Sequence, residues 1–210
     1  MLRSHTGNVA IYPCGGIVSA RHKPYTGFTA MINYSYTEER MSKTKEEKTN
    51  AMRILSDLGI TYESKAYDTG KFVNGIGTAD KLGLPYHVVY KTLVTQGHSR
   101  EFYVFVLPID KELDLKKAAR SVGEKAVELV PVKEITHITG YIRGGCTAIG
   151  MKKQYKTVVS ETARTLQKIH ISAGKQGLQL ELSPDDLCRA ARAAYADILP
   201  EHTTDRTFSE

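Results

Sequence analysis

One lysine stands out in this sequence because it interrupts a run of apolar and aromatic residues, HVVYKTLV at 87–94. An ammonium group is strongly hydrated, so a lysine in such a run either lies on an edge strand and reaches solvent or points into a pocket. On an edge strand it would block pairing with other chains. In a pocket it would hold an anionic or carbonyl oxygen, because partial desolvation strengthens that contact. Lys91 is therefore the first candidate functional residue, and both interpretations stay open on this pattern alone.

Two glycine-rich segments are the other candidates for chemistry. In GYIRGGCTAIG, Gly144 and Gly145 would let the backbone pass close to a ligand and offer amide donors, or they would only shape a loop. In ISAGKQG, Gly174 and Gly177 are equally typical of a hairpin turn. Neither GxxxxGK[ST] nor GxGxxG occurs, so the sequence gives no support for a nucleotide phosphate cradle.

The elements that would position these residues are predicted from alternating helix and strand patterns in the sequence. Helices are predicted to begin at five capping or first-turn positions, which are Thr44, Thr78, Asp114, Pro131 and Ser183. The last of these helices is predicted to bury a stripe made of Leu187, Ala191, Ala194 and Ile198. Strands are predicted at 60–67, 88–95, 102–107, 128–130, 157–160, 168–173 and 178–182. Six or seven adjacent strands with short links, together with several helices, predict an α/β fold with a mixed sheet or a partly closed barrel.

Composition and charge narrow the class of protein. The 210 residues suffice for one sizeable core, and the 41% hydrophobic and 25% charged fractions are ordinary for a soluble domain. No apolar run is long enough for a membrane span, which predicts a protein without a membrane partner. Three separated cysteines suit a reducing cytoplasm, and neither they nor the dispersed histidines have metal-ligand spacing, so no metal or cofactor is predicted. The net charge of +6 mildly favours polyanionic partners.

The chain divides into a patterned body and two ends. Residues 1–40 show no sustained helical or alternating period, which predicts a poorly structured N-terminal extension. A well-patterned segment starts at Met41, so the body is expected at 41–200, with a flexible tail at 201–210. The extension lacks the charged start, apolar core and cleavage site of a secretory signal, which argues against export.

Four motifs in order give the sequence a family resemblance. They are Val89–Leu93, Leu113–Ala119, Thr139–Gly150 with Lys152-Lys153, and Ile171–Leu182. Across about 49–198 the chain closely resembles the YbaK/EbsC family, free-standing relatives of the editing domain of bacterial prolyl-tRNA synthetases. The resemblance implies an aminoacyl-tRNA editing domain at 41–200, folded as a single α/β domain with a mixed, barrel-like sheet of six or seven strands surrounded by helices. It also implies a deacylase that removes cysteine from tRNA for proline, with Cys-tRNA(Cys) as a further substrate. It also implies aminoacyl-tRNA as the main partner, and prolyl-tRNA synthetase as a second one.

The resemblance also assigns roles to individual residues. Lys91 matches the essential lysine of the family and would bind the acceptor end near the ester. The implied catalytic set is Lys91, Gly145 and Ser172, the implied substrate-binding set is Tyr67, Gly144, Thr147 and Gly174, and the implied tRNA-binding set is Lys116, Lys117, Lys152 and Lys153. Tyr67 would contact the terminal ribose or base, and the glycines would bring backbone amides to the aminoacyl carbonyl. For Lys116 and Lys117, a solvated helix face remains an equal alternative.

The chemistry implied by the resemblance uses a group of the substrate. The thiol of the cysteinyl ester, with a pKa of about 8.5, attacks its own carbonyl and leaves as a thiolactone, while the protein positions the ester and stabilises the oxyanion. Cys146 follows a Gly-Gly pair but is expected to pack as a small hydrophobe rather than act as a nucleophile.

Two departures from the family pattern leave the substrate range open. The GGxSPxG segment keeps a hydroxyl at Thr147 and loses its proline, and an acidic position of the last motif is Gln179. Two other classes therefore remain. One is an editing enzyme for another small amino acid such as alanine, with water as the nucleophile. The other is a tRNA- or synthetase-binding module without turnover.

Overall fold

The computed structural model describes residues 48–70 and 75–201, and the features reported below refer to these residues. The α-helices are α1 (Asn50–Asp57), α2 (Gly75–Leu82), α3 (Leu115–Val122), α4 (Val132–Thr139) and α5 (Pro184–Ala191). The strands are β1 (Glu63–Ala66), β2 (Tyr90–Gly97), β3 (Phe102–Pro108), β4 (Val127–Leu129), β5 (Lys156–Ser160), β6 (Ile169–Ser172), β7 (Leu178–Leu182) and β8 (Ala193–Ala196). Short 3-10 turns occupy Tyr86–Val88 and Glu161–Thr165. The predicted N-terminal extension and nearly all of the predicted tail lie outside the described residues.

The strands form two sheets rather than the expected single barrel-like one. A three-stranded antiparallel sheet has the order β1-β7-β6, and a five-stranded sheet has the order β4-β2-β3-β5-β8. In the larger sheet β2 pairs antiparallel with β3 and β4, whereas β5 pairs parallel with β3 and β8. One isolated parallel bridge, Val89 to His170, joins the start of β2 to β6. The expectation of a mixed α/β fold is confirmed, but in the described part of the chain the barrel does not close, because this bridge stops after one residue pair.

The main core lies between the two sheets. It combines Val104, Val106 and Val159 from the large sheet with the small-sheet residues Ile169, Ile171, Leu180 and Leu182, and it includes Leu55 of α1 and Leu187 of α5. A second cluster packs the other side of the large sheet, through Phe105 and Leu107, against Ala118 and Ala119 of α3. Alternate residues of β3 therefore serve two cores, which is why this strand reads as a continuous apolar run.

Side-chain caps fix three of the helix starts. The Asp114 carboxylate accepts from the Lys116 and Lys117 amides at 2.9 Å, and the Ser183 hydroxyl accepts from the Asp186 amide at 3.1 Å. Both caps were predicted. The first described helix is capped by Thr49, and the predicted cap Thr44 lies outside the described residues.

The end of the last helix differs from the prediction. α5 stops at Ala191, and Arg192 takes a left-handed conformation with φ of 51°. The chain then forms an eighth strand, β8, where the sequence predicted that the helix continues through Ala194 and Ile198. Parallel pairing of β8 with the buried strand β5 outweighs the helix propensity of the alanines, since propensity is weak beside tertiary contacts. Ile198 is fully buried, but against the α3 side of the sheet.

Other boundaries moved by a few residues. The strand predicted at 60–67 is shorter in the structure, where β1 covers Glu63–Ala66. The helix predicted to start at Thr78 begins three residues earlier, at Gly75.

Among the helices of the described residues, none has the length and apolar character needed to cross a bilayer.

Candidate active site

A cavity of about 190 Å³ opens where the start of β2 meets β6 and β7, and we call it the cleft. Its lining comprises Gly75, Thr78, Val89, Tyr90, Lys91, Thr92, Ile109, Arg143, Gly144, Cys146, Ser172 and Gln179. Lys91, Gly144 and Ser172 come from three distant motifs of the sequence and meet here. The large sheet supplies one wall and the small sheet the other.

Lys91 lies half-buried in this cleft. Its Nζ donates a hydrogen bond to the Ile109 carbonyl at 3.0 Å, and the Ile109 amide in turn donates to the Val89 carbonyl at 2.8 Å. Burial lowers the pKa of the Lys91 ammonium below its usual value, while the carboxylates of Glu112 and Asp110 act in the opposite direction. Only one of the three ammonium protons is used by this bond, so the group can also donate to a ligand oxygen. Lys91 pairs with Leu107 across β2 and β3 and thus lies within the sheet, where Tyr90 at the preceding position is buried.

Ser172 and Gln179 face each other across β6 and β7 in the opposite wall of the cleft. The Ser172 hydroxyl accepts a long hydrogen bond, 3.4 Å, from the Gly174 amide. Gln179 is only 6% exposed, and within the described residues its Oε1 has no hydrogen-bond partner. A buried carbonyl oxygen without a partner is costly, so this wall offers an unused acceptor to a ligand.

Gly144 and Gly145 have different structural roles. Gly144 lines the cleft with a left-handed φ of 79°. Gly145 is buried beside it, its amide donates to the Ile142 carbonyl at 3.0 Å, and a Cβ on it would lie 3.2 Å from the Gln176 amide nitrogen. Gly145 therefore allows close backbone packing on the 174–177 turn rather than lining the cleft.

The 174–177 turn is held against this loop. Gln176 donates from Nε2 to the Arg143 carbonyl at 2.6 Å. Gly174, with φ of 88°, packs so tightly on Tyr141 that a Cβ would approach the ring to 2.9 Å. Gly174 thus supports the cleft from behind, and a single antiparallel hairpin carries it together with Ser172.

Tyr67 borders the cleft through one contact. Its phenol oxygen lies 3.4 Å from Thr78 Oγ1, and Thr78 is part of the cleft lining. The Tyr67 side chain itself lines an adjoining cavity of about 310 Å³, together with residues of the 174–177 turn such as Lys175 and Gln176. Tyr67 is placed between two cavities.

Two members of the GGCT segment have no exposed reactive group. Thr147 is fully buried, and its Oγ1 has no partner among the described residues. Cys146 lines the cleft, but burial raises the pKa of its thiol to about 11. At neutral pH the Cys146 thiol therefore carries almost no thiolate, the form that reacts as a nucleophile.

The four lysines predicted to bind tRNA lie in two places. Lys152 and Lys153 follow the cleft-lining segment and line two further cavities. Lys116 and Lys117 lie on α3, where the Lys117 ammonium pairs with Asp197 at 2.7 Å. None of the four is part of the cleft.

The sequence reasoning missed several lining residues. Ile109 and Arg143 were not singled out, Thr78 was noted only as a helix start, and Gln179 only as a departure from a family pattern. Arg143 stands directly before the Gly-Gly pair, which is the one signal that would have flagged it. Ile109 contributes through its backbone carbonyl, which no side-chain pattern reveals.

The fold and the cleft together define the class of this protein. It is an α/β domain with two sheets and a small cleft containing one half-buried lysine, glycine-shaped backbone and a neutral polar wall. The family model described as aminoacyl-tRNA editing domain matches residues 77–190.

Similar proteins agree with this match. An Enterococcus faecalis protein, named provisionally as the Cys-tRNA(Pro)/Cys-tRNA(Cys) deacylase EbsC, is 39% identical over 160 residues, which are 75% of this chain and 98% of that protein. A crystal structure described provisionally as a trans-editing enzyme for prolyl-tRNA synthetase superposes with a TM-score of 0.62 at 21% identity, covering 73% of this chain and 99% of that one. The crystal structure of the hypothetical protein APE2540 has a TM-score of 0.67 at 24% identity and covers 72% and 100% of the two chains. The chain belongs to the family of aminoacyl-tRNA editing domains.

Proposed function

We propose that this protein is a trans-editing deacylase that removes cysteine mischarged on tRNA(Pro), with Cys-tRNA(Cys) as a second substrate. The family match and the 39% identity to a protein with that name support the proposal. One observation carries it: the cleft is lined by a half-buried ammonium, Lys91, and by a Cys146 thiol whose raised pKa makes it a poor nucleophile. The cleft thus suits a reaction in which the substrate provides the nucleophile.

The proposed reaction is a cyclisation of the cysteinyl ester. The substrate thiol loses its proton, the sulfur attacks the ester carbonyl carbon, and the carbon–oxygen bond to the terminal ribose breaks. The ribose oxygen takes up a proton, and the amino acid leaves as a thiolactone that water opens later. A few per cent of a free thiol is already thiolate at pH 7, so the protein needs no strong base.

The proposed task of the cleft residues is positioning and charge stabilisation. The Lys91 ammonium donates to a phosphate or sugar oxygen of the acceptor end, next to the ester. Ser172 and the backbone of Gly144 are assigned to the carbonyl side, where the tetrahedral intermediate develops negative charge, and Gly145 holds this loop on the 174–177 turn. One preorganised donor at such a place is worth roughly 10²–10³-fold in rate. Tyr67, Gly174 and Thr147 contribute by contact with the terminal nucleotide or by shaping the loops.

Deacylation assays with Cys-tRNA(Pro), Cys-tRNA(Cys) and Ala-tRNA(Pro) in parallel test the function. We expect release of cysteine from the first two and little release of alanine. Turnover of Ala-tRNA(Pro) alone would instead support the editing of another small amino acid with water as nucleophile. Binding of tRNA without any turnover would support a non-catalytic module.

The proposed partner is aminoacyl-tRNA, with prolyl-tRNA synthetase as a second one, and the proposed location is the cytoplasm, where both occur. Addition of the synthetase to the Cys-tRNA(Pro) assay tests the second partner. A rise in kcat/KM that is absent with Cys-tRNA(Cys) is the expected result. Equal rates with and without synthetase would show that the protein works alone.

A further inference from the structure

One segment of the chain, 140–155, lines three cavities. Arg143, Gly144 and Cys146 line the cleft. Residues later in the segment line two further cavities. One, of about 290 Å³, lies between α1 and α5, and we call it the α1/α5 cavity. The other, of about 340 Å³, lies beside α4 and the start of β3, and we call it the β3/α4 cavity. Lys153 and Tyr155 belong to both of these outer cavities. The cleft and the two outer cavities are therefore connected by a single stretch of backbone.

This segment is held in place by one hydrogen bond within it and two to the end of α4. The Tyr141 hydroxyl donates to the Ile149 carbonyl at 2.7 Å, and the Lys152 amide donates to the Thr139 carbonyl at 3.0 Å. The Tyr155 hydroxyl donates to the Ile138 carbonyl at 2.8 Å. These bonds fix the outer cavities relative to the cleft-lining part of the same segment.

Among the charged residues that line the outer cavities, permanent cations outnumber carboxylates. The α1/α5 cavity has Lys153, Arg189 and Arg192 against one carboxylate, Asp57. The β3/α4 cavity has Arg100, Lys152 and again Lys153, together with His137, against one carboxylate, Glu101. Arg189 also pairs with Asp186 at 3.2 Å. For the other four cations, no ion pair is found within the described residues.

The cleft and the shared lysine are close enough for one ligand to reach both. Gly144 and Lys153 are nine positions apart, so even a fully extended chain between them would span at most about 32 Å. RNA phosphates are the chemistry that lysines and arginines grouped in two cavities with shared lining residues fit. Double-stranded RNA is recognised mainly through its shape, phosphates and 2′-hydroxyls.

We propose that the cations of the two outer cavities bind the sugar-phosphate backbone of the tRNA acceptor arm while its aminoacyl end occupies the cleft. This rests on the proposed function for the identity of the RNA. It adds Arg100, Arg189 and Arg192 to the contacts and gives Lys152 and Lys153 a common surface. The contact is independent of base sequence, so it strengthens binding of tRNA in general and leaves the choice of tRNA to other features.

The test compares two double variants of equal charge. Lys153→Gln/Arg192→Gln removes two cations of the α1/α5 cavity, and Arg120→Gln/Lys125→Gln removes two exposed cations that line neither outer cavity. Each variant is assayed for binding of uncharged tRNA over a salt series. Each is also assayed for deacylation of intact Cys-tRNA(Pro) and of a short cysteinylated oligonucleotide ending in CCA. The short substrate reaches the cleft but not the outer cavities.

We expect the first pair to weaken tRNA binding about tenfold and to reduce the slope of log K against log salt by about 1.5, since each lost phosphate contact accounts for about 0.7–0.9. KM for intact tRNA rises correspondingly, and the short substrate reacts as with the wild type. Equal losses for both variants, or an equal loss on both substrates, would overturn the proposal. If the wild type deacylates neither substrate, the proposed function fails, and the binding series still decides whether this surface holds RNA.

Discussion

Lys91 is the residue on which the proposed chemistry depends most. Its Nζ donates to a backbone carbonyl inside the cleft, so the ammonium is oriented before any ligand arrives. We expect Lys91→Ala to lower kcat/KM for Cys-tRNA(Pro) by at least about 10²-fold, because a preorganised donor is lost. Lys91→Arg should also fail, since a planar guanidinium does not replace a compact ammonium.

Melting temperatures show whether the two Lys91 variants remain folded, because only a folded variant tests the role of the side chain. A solvent-reaching lysine on a strand would be replaceable. Near-normal turnover in a folded Lys91→Ala variant would therefore show that Lys91 is a solvent-reaching strand residue without a role in the reaction.

The pH profile should report the charge on the same residue. If activity depends on the Lys91 ammonium as proposed, it should fall as pH rises through the lowered pKa of this group. At lower pH it should rise with pH, because the substrate thiol loses its proton near pH 8.5. Glu112 supports the charged form of Lys91. Glu112→Gln should thus lower the Lys91 pKa further and move the alkaline limb to lower pH.

The matched control for this shift is Glu128→Gln on β4. Glu128 pairs with Gln96, five positions along β2 from Lys91 and roughly 17 Å away. The profile of this control should keep the wild-type limb, measured as enzymatic minus spontaneous deacylation at each pH. An unmoved limb in Glu112→Gln would show that another group sets it.

Cys146 gives a test of where the reacting sulfur resides. Since burial raises the pKa of this thiol to about 11, we expect Cys146→Ala to keep most activity on Cys-tRNA(Pro). Alkylation of the thiol of the cysteinyl substrate should abolish the reaction with the wild-type protein. A folded but inactive Cys146→Ala variant, or normal cleavage of the alkylated substrate, contradicts the substrate-assisted mechanism.

Among the structural elements, the contact between the Gly144-Gly145 loop and the 174–177 turn decides the shape of the cleft. A Cβ at Gly145 would press on the backbone of Lys175 and Gln176 at 3.2 Å. Gly145→Val should push the turn away, with a cost of about 1–3 kcal/mol in stability and a loss of kcat that exceeds the loss from Gly145→Ala.

Gly59→Ala is the control for Gly145→Val. Gly59 has a left-handed φ of 65° and no atom near its Cβ position, so this substitution costs stability through backbone strain alone. It should lower the melting temperature and leave kcat unchanged. If both variants lose activity in proportion to stability, the loop contact has no specific role.

The elements also show what the sequence could predict. The caps Asp114 and Ser183 and the hairpin of β2 and β3 were predicted from local chemistry, and the structure contains them. β8 was not predictable in this way, because its alanine-rich segment becomes a strand only by pairing with β5. Likewise, the packing of Gly145 on the 174–177 turn joins two segments far apart in the chain, and periodicity carries no information on such contacts.

For the whole molecule, the described residues of the two sheets and of α1 to α5 already build two large apolar clusters. A chain beginning at Met41 is therefore expected to fold and to keep its deacylase activity. Melting temperature and kcat/KM for Cys-tRNA(Pro), compared with the full chain, check this. A clear drop in either would show that the first forty residues pack on the domain or contact tRNA.

The bridge between Val89 and His170 has a consequence for how activity can be transferred or divided. Because one wall of the cleft belongs to each sheet, the distance between Lys91 and Ser172 is set by the whole core between the sheets and not by either motif. Under the proposed function, neither half of the chain contains a complete reaction site, and a graft of the glycine-rich loops onto another scaffold should not carry one. Deacylation is therefore expected only from the assembled domain, so during refolding it should appear together with the contact between the two sheets.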